Sequence, residues 1–165
     1  PQTYKIVSND FLEIKKLMKT FTIRKLESSD YEGWAILFSG YAEYYKFNIE
    51  DANIKQTWKW INDFDHPLEC LAAFENHQII GFGHFRAMPS PLRGENIGFL
   101  DDLFVDPEYR GNNVGDMLLS AIQKEAKERG WKIIRWITKD NNYRARSLYD
   151  KYSKKTDWNV YEMQI

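Results

Sequence analysis

Cysteine is nearly missing from this chain of 165 residues, with Cys70 standing alone. One cysteine excludes a disulfide framework within the chain. With only the scattered His66, His77 and His84 to join it, it also excludes a closed structural zinc site, which needs four close ligands, so no metal site is expected. An excess of either charge is lacking too: Lys and Arg number 23 against 24 Asp and Glu, a net charge of −1. That balance gives no general attraction to nucleic acid or to anionic lipid, so any charged partner must be held locally. Long apolar runs are absent. Nothing approaches the roughly 18 residues of a spanning helix, and the first 30 residues hold no continuous apolar stretch of the secretory kind. A soluble, cytoplasmic protein without membrane contact is expected. Pro1 stands where Met would begin a chain, which suggests a missing or processed start. Repeats and low-complexity segments are also missing. A chain of this length hides roughly 70% of its unfolded surface on folding, enough for one domain without staples.

Aromatic residues are abundant, at 16% of the chain. Most are read as core, with a cleft or subunit interface as the alternative. Residues 1–20 read as an N-terminal extension. Residues 4–7 resemble a short strand, and Phe11, Ile14, Leu17 and Met18 form one face of a helical stretch, which must dock on something. The main domain spans residues 21–165. Its pattern predicts a strand at 21–26, then a helix to about Tyr45 opened by a Ser29–Glu32 capping box. A second helix is predicted over 52–64, with Ile54, Trp58, Ile61 and Phe64 on one face. Strands at 68–75 and 78–86 flank Asn76-His77, a surface loop carries Pro89, Pro91 and Gly94, and 97–105 returns as a strand. Val114, Met117, Leu118, Ala121, Ile122 and Ala126 repeat at helical spacing, with Gly130 as the stop. Residues 133–138 read as a strand buried on both faces, Asn141 or Asn142 caps a last helix, and 160–165 form a last strand. The expected fold is α/β (α+β), with about four helices around a mixed sheet.

The most informative stretch runs from Phe99 to Gly115. A buried strand enters a turn carrying Arg110, Gly111, Asn112, Asn113 and Gly115, and the turn opens an amphipathic helix. Such a junction aims backbone N–H groups and the positive end of a helix dipole at one place, which suits a phosphate or pyrophosphate. A plain strand-to-helix connection is the alternative. Walker, dinucleotide, Gly-x-Ser-x-Gly and His-Glu-x-x-His patterns are absent.

Val-Asp-Pro-x-x-Arg-Gly-x-x-Val-Gly between strand and helix, followed by Asn-x-x-Ala-x-x-Leu-Tyr, resembles the GCN5-related N-acetyltransferase (GNAT) superfamily over residues 21–165. Asp-Leu-Phe-Val-Asp and Thr-x-x-x-Asn-x-x-Ala-x-x-Leu-Tyr-x-Lys are most similar to the branch holding diamine acetyltransferases and the fungal histone and polyamine acetyltransferases. The resemblance implies a mixed, mostly antiparallel sheet whose parallel central pair splays apart to admit acetyl-coenzyme A. It implies that Leu103, Phe104 and Val105 pair with the pantetheine arm. The amides of Arg110, Gly111, Asn112, Asn113, Val114, Gly115 and Asp116 would hold the pyrophosphate, with Asn142 and Ala145 touching the cofactor. Two positions depart from the family: Asn113 and Ser153 stand where glycine is usual.

By the same resemblance Tyr149 faces the cofactor sulfur. A phenol of pKa near 10 is matched to a departing alkyl thiolate and can return its proton. A plain core stripe of Ala145, Leu148, Tyr149 and Tyr152 is the alternative. An acceptor amine must lose a proton, and an ammonium of pKa near 10.4 makes that cost roughly 4–5 kcal/mol at neutral pH. Asp101 and Asp102, adjacent in a strand, are expected to point to opposite faces. Asp102 matches the family's acidic residue near the amine, with a structural salt bridge as the alternative, and Asp101 joins it as a candidate. Glu43, Tyr44 and Tyr45 fall where substrate-covering helices lie. His84, expected on one face with Ile80 and Phe82, is read as structural, and Arg144 and Arg146 sit beside the cofactor mouth. Cys70 has no place as a nucleophile.

The implied function is transfer of acetyl from acetyl-coenzyme A to a primary amine, a polyamine, lysine side chain or similar small amine, by direct attack in a ternary complex. A non-catalytic acyl-coenzyme A sensor is the alternative, and a single-stranded nucleic-acid binder is disfavoured by the neutral charge. A homodimer is expected.

Overall fold

The computed structural model describes residues 20–165. The expected extension over residues 1–20, with its strand and docking helix, lies outside the described residues apart from Thr20.

Five strands form one sheet in sequence order: β1 (Phe21–Lys25), β2 (Leu68–Glu75), β3 (Gln78–Ser90), β4 (Glu95–Val105) and β5 (Ile134–Trp136). Neighbours are antiparallel except β4 and β5, the parallel pair. Helices α1 (Tyr31–Tyr44) and α2 (Asp51–Ile61) precede β2, α3 (Val114–Glu128) joins β4 to β5, and α4 (Tyr143–Tyr149) follows.

Period-two alternation on β2 sorts the core into two faces. Cys70, Ala72 and Phe74 pack with Trp34, Leu37 and Phe82 under α1 and α2. Leu71 and Ala73 pack on the other side, against Leu119, Ile122 and Leu118 of α3. The first cluster is rich in aromatic residues, and there Trp34, Phe38, Tyr41, Phe82 and Phe104 meet ring to ring. Two bulges break the alternation. One sets Ile80 on the α3 face, opposite Phe82 and His84, contrary to the expected shared face. The other lies between His84 and Phe85, opposite Asp101.

Other expectations shift locally. The capping box sits two residues early: Glu27 and Asp30 bond reciprocally around a short 3-10 turn (Ser28–Asp30). Helix α2 stops at Ile61 because Asn62 donates its side-chain amide to the Trp58 carbonyl, so Phe64 is fully exposed. Strands β3 and β4 run through Pro89 to Ser90 and from Glu95, so the surface loop shrinks to a tight turn. The predicted last strand over 160–165 is absent, and Tyr161, Met163 and Ile165 are exposed. Without it β5 is an edge strand among the described residues. It is shorter than predicted and only partly buried, with Ile133 and Ile137 outside it and exposed.

Candidate active site

The parallel pair explains the cleft. β4 and β5 are in register only from Gly98↔Ile134 to Leu100↔Trp136, whereas β4 continues to Val105. Beyond Leu100 the strands part. The gap opens into a cleft of about 450 Å³ floored by Leu103, Phe104 and Val105. The turn after β4 and the start of α3 form one wall, and α4 forms the other.

The turn has the geometry an anion needs. Gly111 has φ +83° and Asn113 φ +60°, both in the left-handed region. Asn113 tolerates that conformation better than most side chains, which is why the turn survives where glycine would be usual. No side chain caps α3, so its first N–H groups face the cleft without a side-chain acceptor. Gly111 has nothing near its Cβ position, so conformation alone requires it. At Gly115 a Cβ would lie 2.9 Å from Leu148 Cδ2, so this glycine also lets α4 close on α3.

Most of the expected cofactor residues line the cleft: Leu103, Phe104, Val105, Arg110, Gly111, Asn113, Val114, Gly115, Asp116, Asn142, Ala145 and Tyr149. Asn112 is not among them; it turns its amide back to the Tyr109 carbonyl. Arg110 Nε donates to the Val105 carbonyl at 3.2 Å, with the guanidinium beside the rings of Tyr44 and Phe104. Arg144 also lines the cleft, whereas Arg146 pairs with Asp140. Asn142 caps α4 and ties it to α1: its Oδ1 accepts from Tyr44 and its Nδ2 donates to Tyr45 and Thr138. Tyr44 therefore reaches the cleft, while Glu43 is exposed and does not line it.

Tyr149 stands in the cleft wall against Trp136, with ring centroids 5.3 Å apart. Among the described residues no side chain shares its hydroxyl proton. Burial, with Tyr45 and Asp102 nearby, pushes the phenol up to about 12. It therefore keeps its proton through the whole neutral range.

The two aspartates do not point to opposite faces. Asp101 is the extra residue of the β4 bulge, and a bulge turns two successive side chains toward one side. Asp101 accepts from Arg86 Nε at 3.0 and 3.1 Å, and Asp102 Oδ2 meets His84 Nδ1 at 2.8 Å. Arg86 and His84 lie two apart on β3, so both carboxylates occupy the α1 face. Their environments differ. Burial raises Asp101, and Arg86 only partly offsets it. Burial also pushes Asp102 up, but His84 and the Tyr41 hydroxyl outweigh it and leave the carboxyl below its usual range. Neither aspartate lines the cleft. Tyr41 does, and it interacts with Asp102, so it connects the acidic pair to the cavity. Sequence reading missed Tyr41; its place one helical turn before Tyr45 was the available signal.

A cleft with an uncapped helix start, a positive-φ turn, Arg110 and an unpaired strand end fits a diphosphate borne on an extended arm. Comparison with known proteins agrees. The Acetyltransferase (GNAT) family profile matches residues 24–153. An uncharacterized N-acetyltransferase, YhfO of Bacillus subtilis, is 33% identical over 135 residues, covering 82% of this chain and 90% of its own. The D-amino-acid N-acetyltransferase HPA3 of Saccharomyces cerevisiae is 27% identical over 150 residues, covering 90% and 93%. Among solved structures, AAC(6')-Iy with the bisubstrate analog CoA-S-monomethyl-acetylneamine superposes with a TM-score of 0.76 at 18% identity, over 88% of this chain and 99% of that one. No helix among the described residues is long and apolar enough to cross a membrane. The chain belongs to the GNAT acetyltransferase family and is an acetyl-CoA-dependent N-acetyltransferase.

Proposed function

We propose that this enzyme acetylates a small primary amine by direct attack within a ternary complex, with Tyr149 as general acid and Asp102 as the anchor for the ammonium. Acetyl-CoA supplies the activated acetyl thioester. The amides of Gly111 and of residues 113–116, with Arg110, would hold its diphosphate, and Leu103, Phe104 and Val105 would receive its arm along the open end of β4. The observation that carries the reading is Tyr149, half-buried in the cleft wall with its phenol pushed up to about 12, so that it holds its proton at neutral pH.

The acidic pair divides the work on the amine. Asp102, held low, suits holding a cation more than taking its proton, whereas Asp101, held high by burial, is the better acceptor. Tyr41 joins Asp102 to the cleft. Cys70 takes no part: it is buried, and its thiol is pushed well up by that burial. A polyamine suits two carboxylates on one face. The D-amino-acid acceptor in HPA3's name makes amino acids the contrasting arm of the substrate panel. A homodimer completes the reading, supported by the exposed Trp158, Tyr161, Met163 and Ile165.

The test is Tyr149→Phe, assayed by thiol release with polyamines, lysine peptides and amino acids. A fall in kcat of about 100-fold with little change in acetyl-CoA affinity is expected. An unchanged kcat removes the general-acid role, and an acyl-CoA sensor would release no thiol with any amine.

A further inference from the structure

His84 and Trp34 are the most buried polar pair near the site, both at 0% exposure, and the mechanism above does not use them. Trp34 Nε1 carries a hydrogen and only donates. It lies 3.1 Å from His84 Nε2 and directs that hydrogen at it. His84 Nε2 is therefore the accepting nitrogen, and the ring's one proton sits on Nδ1. From there it donates to Asp102 Oδ2 at 2.8 Å. One arrangement of protons satisfies all three groups. A hydrogen on Nε2 would face the indole N–H and destroy the contact.

We propose that Trp34 and His84 are positioning residues that hold the Asp102 carboxylate ionised and aimed, by fixing His84 in its Nδ1–H form. The inference rests on the reading of Asp102 as the ammonium anchor. The relay crosses three elements: Trp34 on α1, His84 on β3 and Asp102 beside the β4 bulge. Rings of Phe38 and Phe82 pack against the imidazole, at centroid distances of 5.2 and 4.6 Å, and stop it from flipping. The titratable and charged groups around it are Asp101 and Asp102 from β4, Cys70 from β2, Tyr41 from α1 and Arg86 on its own strand. A second proton on His84 would put a cation against Asp102 and compete with the substrate's own ammonium. Trp34 blocks that proton by occupying Nε2. The acceptor site stays anionic over the working pH range.

Imidazole ¹⁵N NMR of the whole wild-type chain reads this without any assay. His84, identified by the signal lost in His84→Asn, is expected as the Nδ1–H tautomer. An Nε2–H tautomer overturns the proposal. Kinetics supply the second arm. Trp34→Phe frees Nε2, so KM for the amine should climb roughly tenfold as pH falls from 8 to 6, with KM for acetyl-CoA flat. His84→Asn, whose side-chain N–H can stand in for Nδ1–H, should restore most of what His84→Ala loses. If Asp102→Asn raises amine KM while neither relay variant changes its pH profile, the relay fails and the anchor stands. If Asp102→Asn leaves amine KM unchanged, the anchor itself fails.

Discussion

Two helix starts in this molecule follow a strand and are built in opposite ways. At the 3-10 turn that leads into α1 the chain closes its own end: Glu27 N–H donates to Asp30 Oδ2 at 2.7 Å, and Arg24 pairs with the same carboxylate at 2.6 Å. The acid sits in the first turn, where the helix dipole favours it. At α3 no side chain caps the end, the entering residues take positive φ, and the free amides look into the cleft. A helix start that satisfies itself adds stability and has nothing left for a ligand. One left open forgoes about 1 kcal/mol of capping and keeps its N–H groups for a diphosphate.

Three substitutions test that contrast, in order of expected effect. Gly111→Val forces a β-branched residue to φ +83°, so the turn must refold. KM for acetyl-CoA should rise by about 100-fold with a small change in melting temperature, as steady-state kinetics and calorimetric melting would show. Asp30→Ala should do the reverse, costing about 2 kcal/mol of folding stability in a urea titration and leaving KM for acetyl-CoA alone. The sign with pH follows from the Arg24 hydrogen bond, which lowers Asp30 below its ordinary 3.8. Its stabilisation is complete above that value and is lost as pH falls through the lower folded one, so the variant should lose less stability than wild type between pH 4 and 2. Asn113→Asp sets a carboxylate at the open end. It should hold or slightly raise the melting temperature while raising KM for acetyl-CoA about fivefold, through repulsion of the diphosphate.

The open start was legible in the sequence because glycine and asparagine before an amphipathic run carry their own conformational signature. So were the strand order leading into it and Tyr149, which shares a helix face with Ala145 and Leu148. The acidic pair was only half legible. Asp-Asp in an apolar strand announces a site, but nothing local marks the bulge at Asp101, which brings both carboxylates to one face by mismatch with β3. His84 read as structural, and Trp34 and Tyr41 drew no reading, for a related reason: their hydrogen bonds and contacts run between α1, β3 and β4, and alternation along one strand carries no trace of those. The last strand failed differently. Residues 160–165 have a strand's composition, but no described neighbour pairs with them.

Backbone amide NMR during titration with coenzyme A tests the central contrast most directly. The largest shifts should fall on residues 111–116, with residues 28–30 in the closed turn before α1 unmoved. Saturable binding that left 111–116 unshifted, or moved both helix starts alike, would contradict the account.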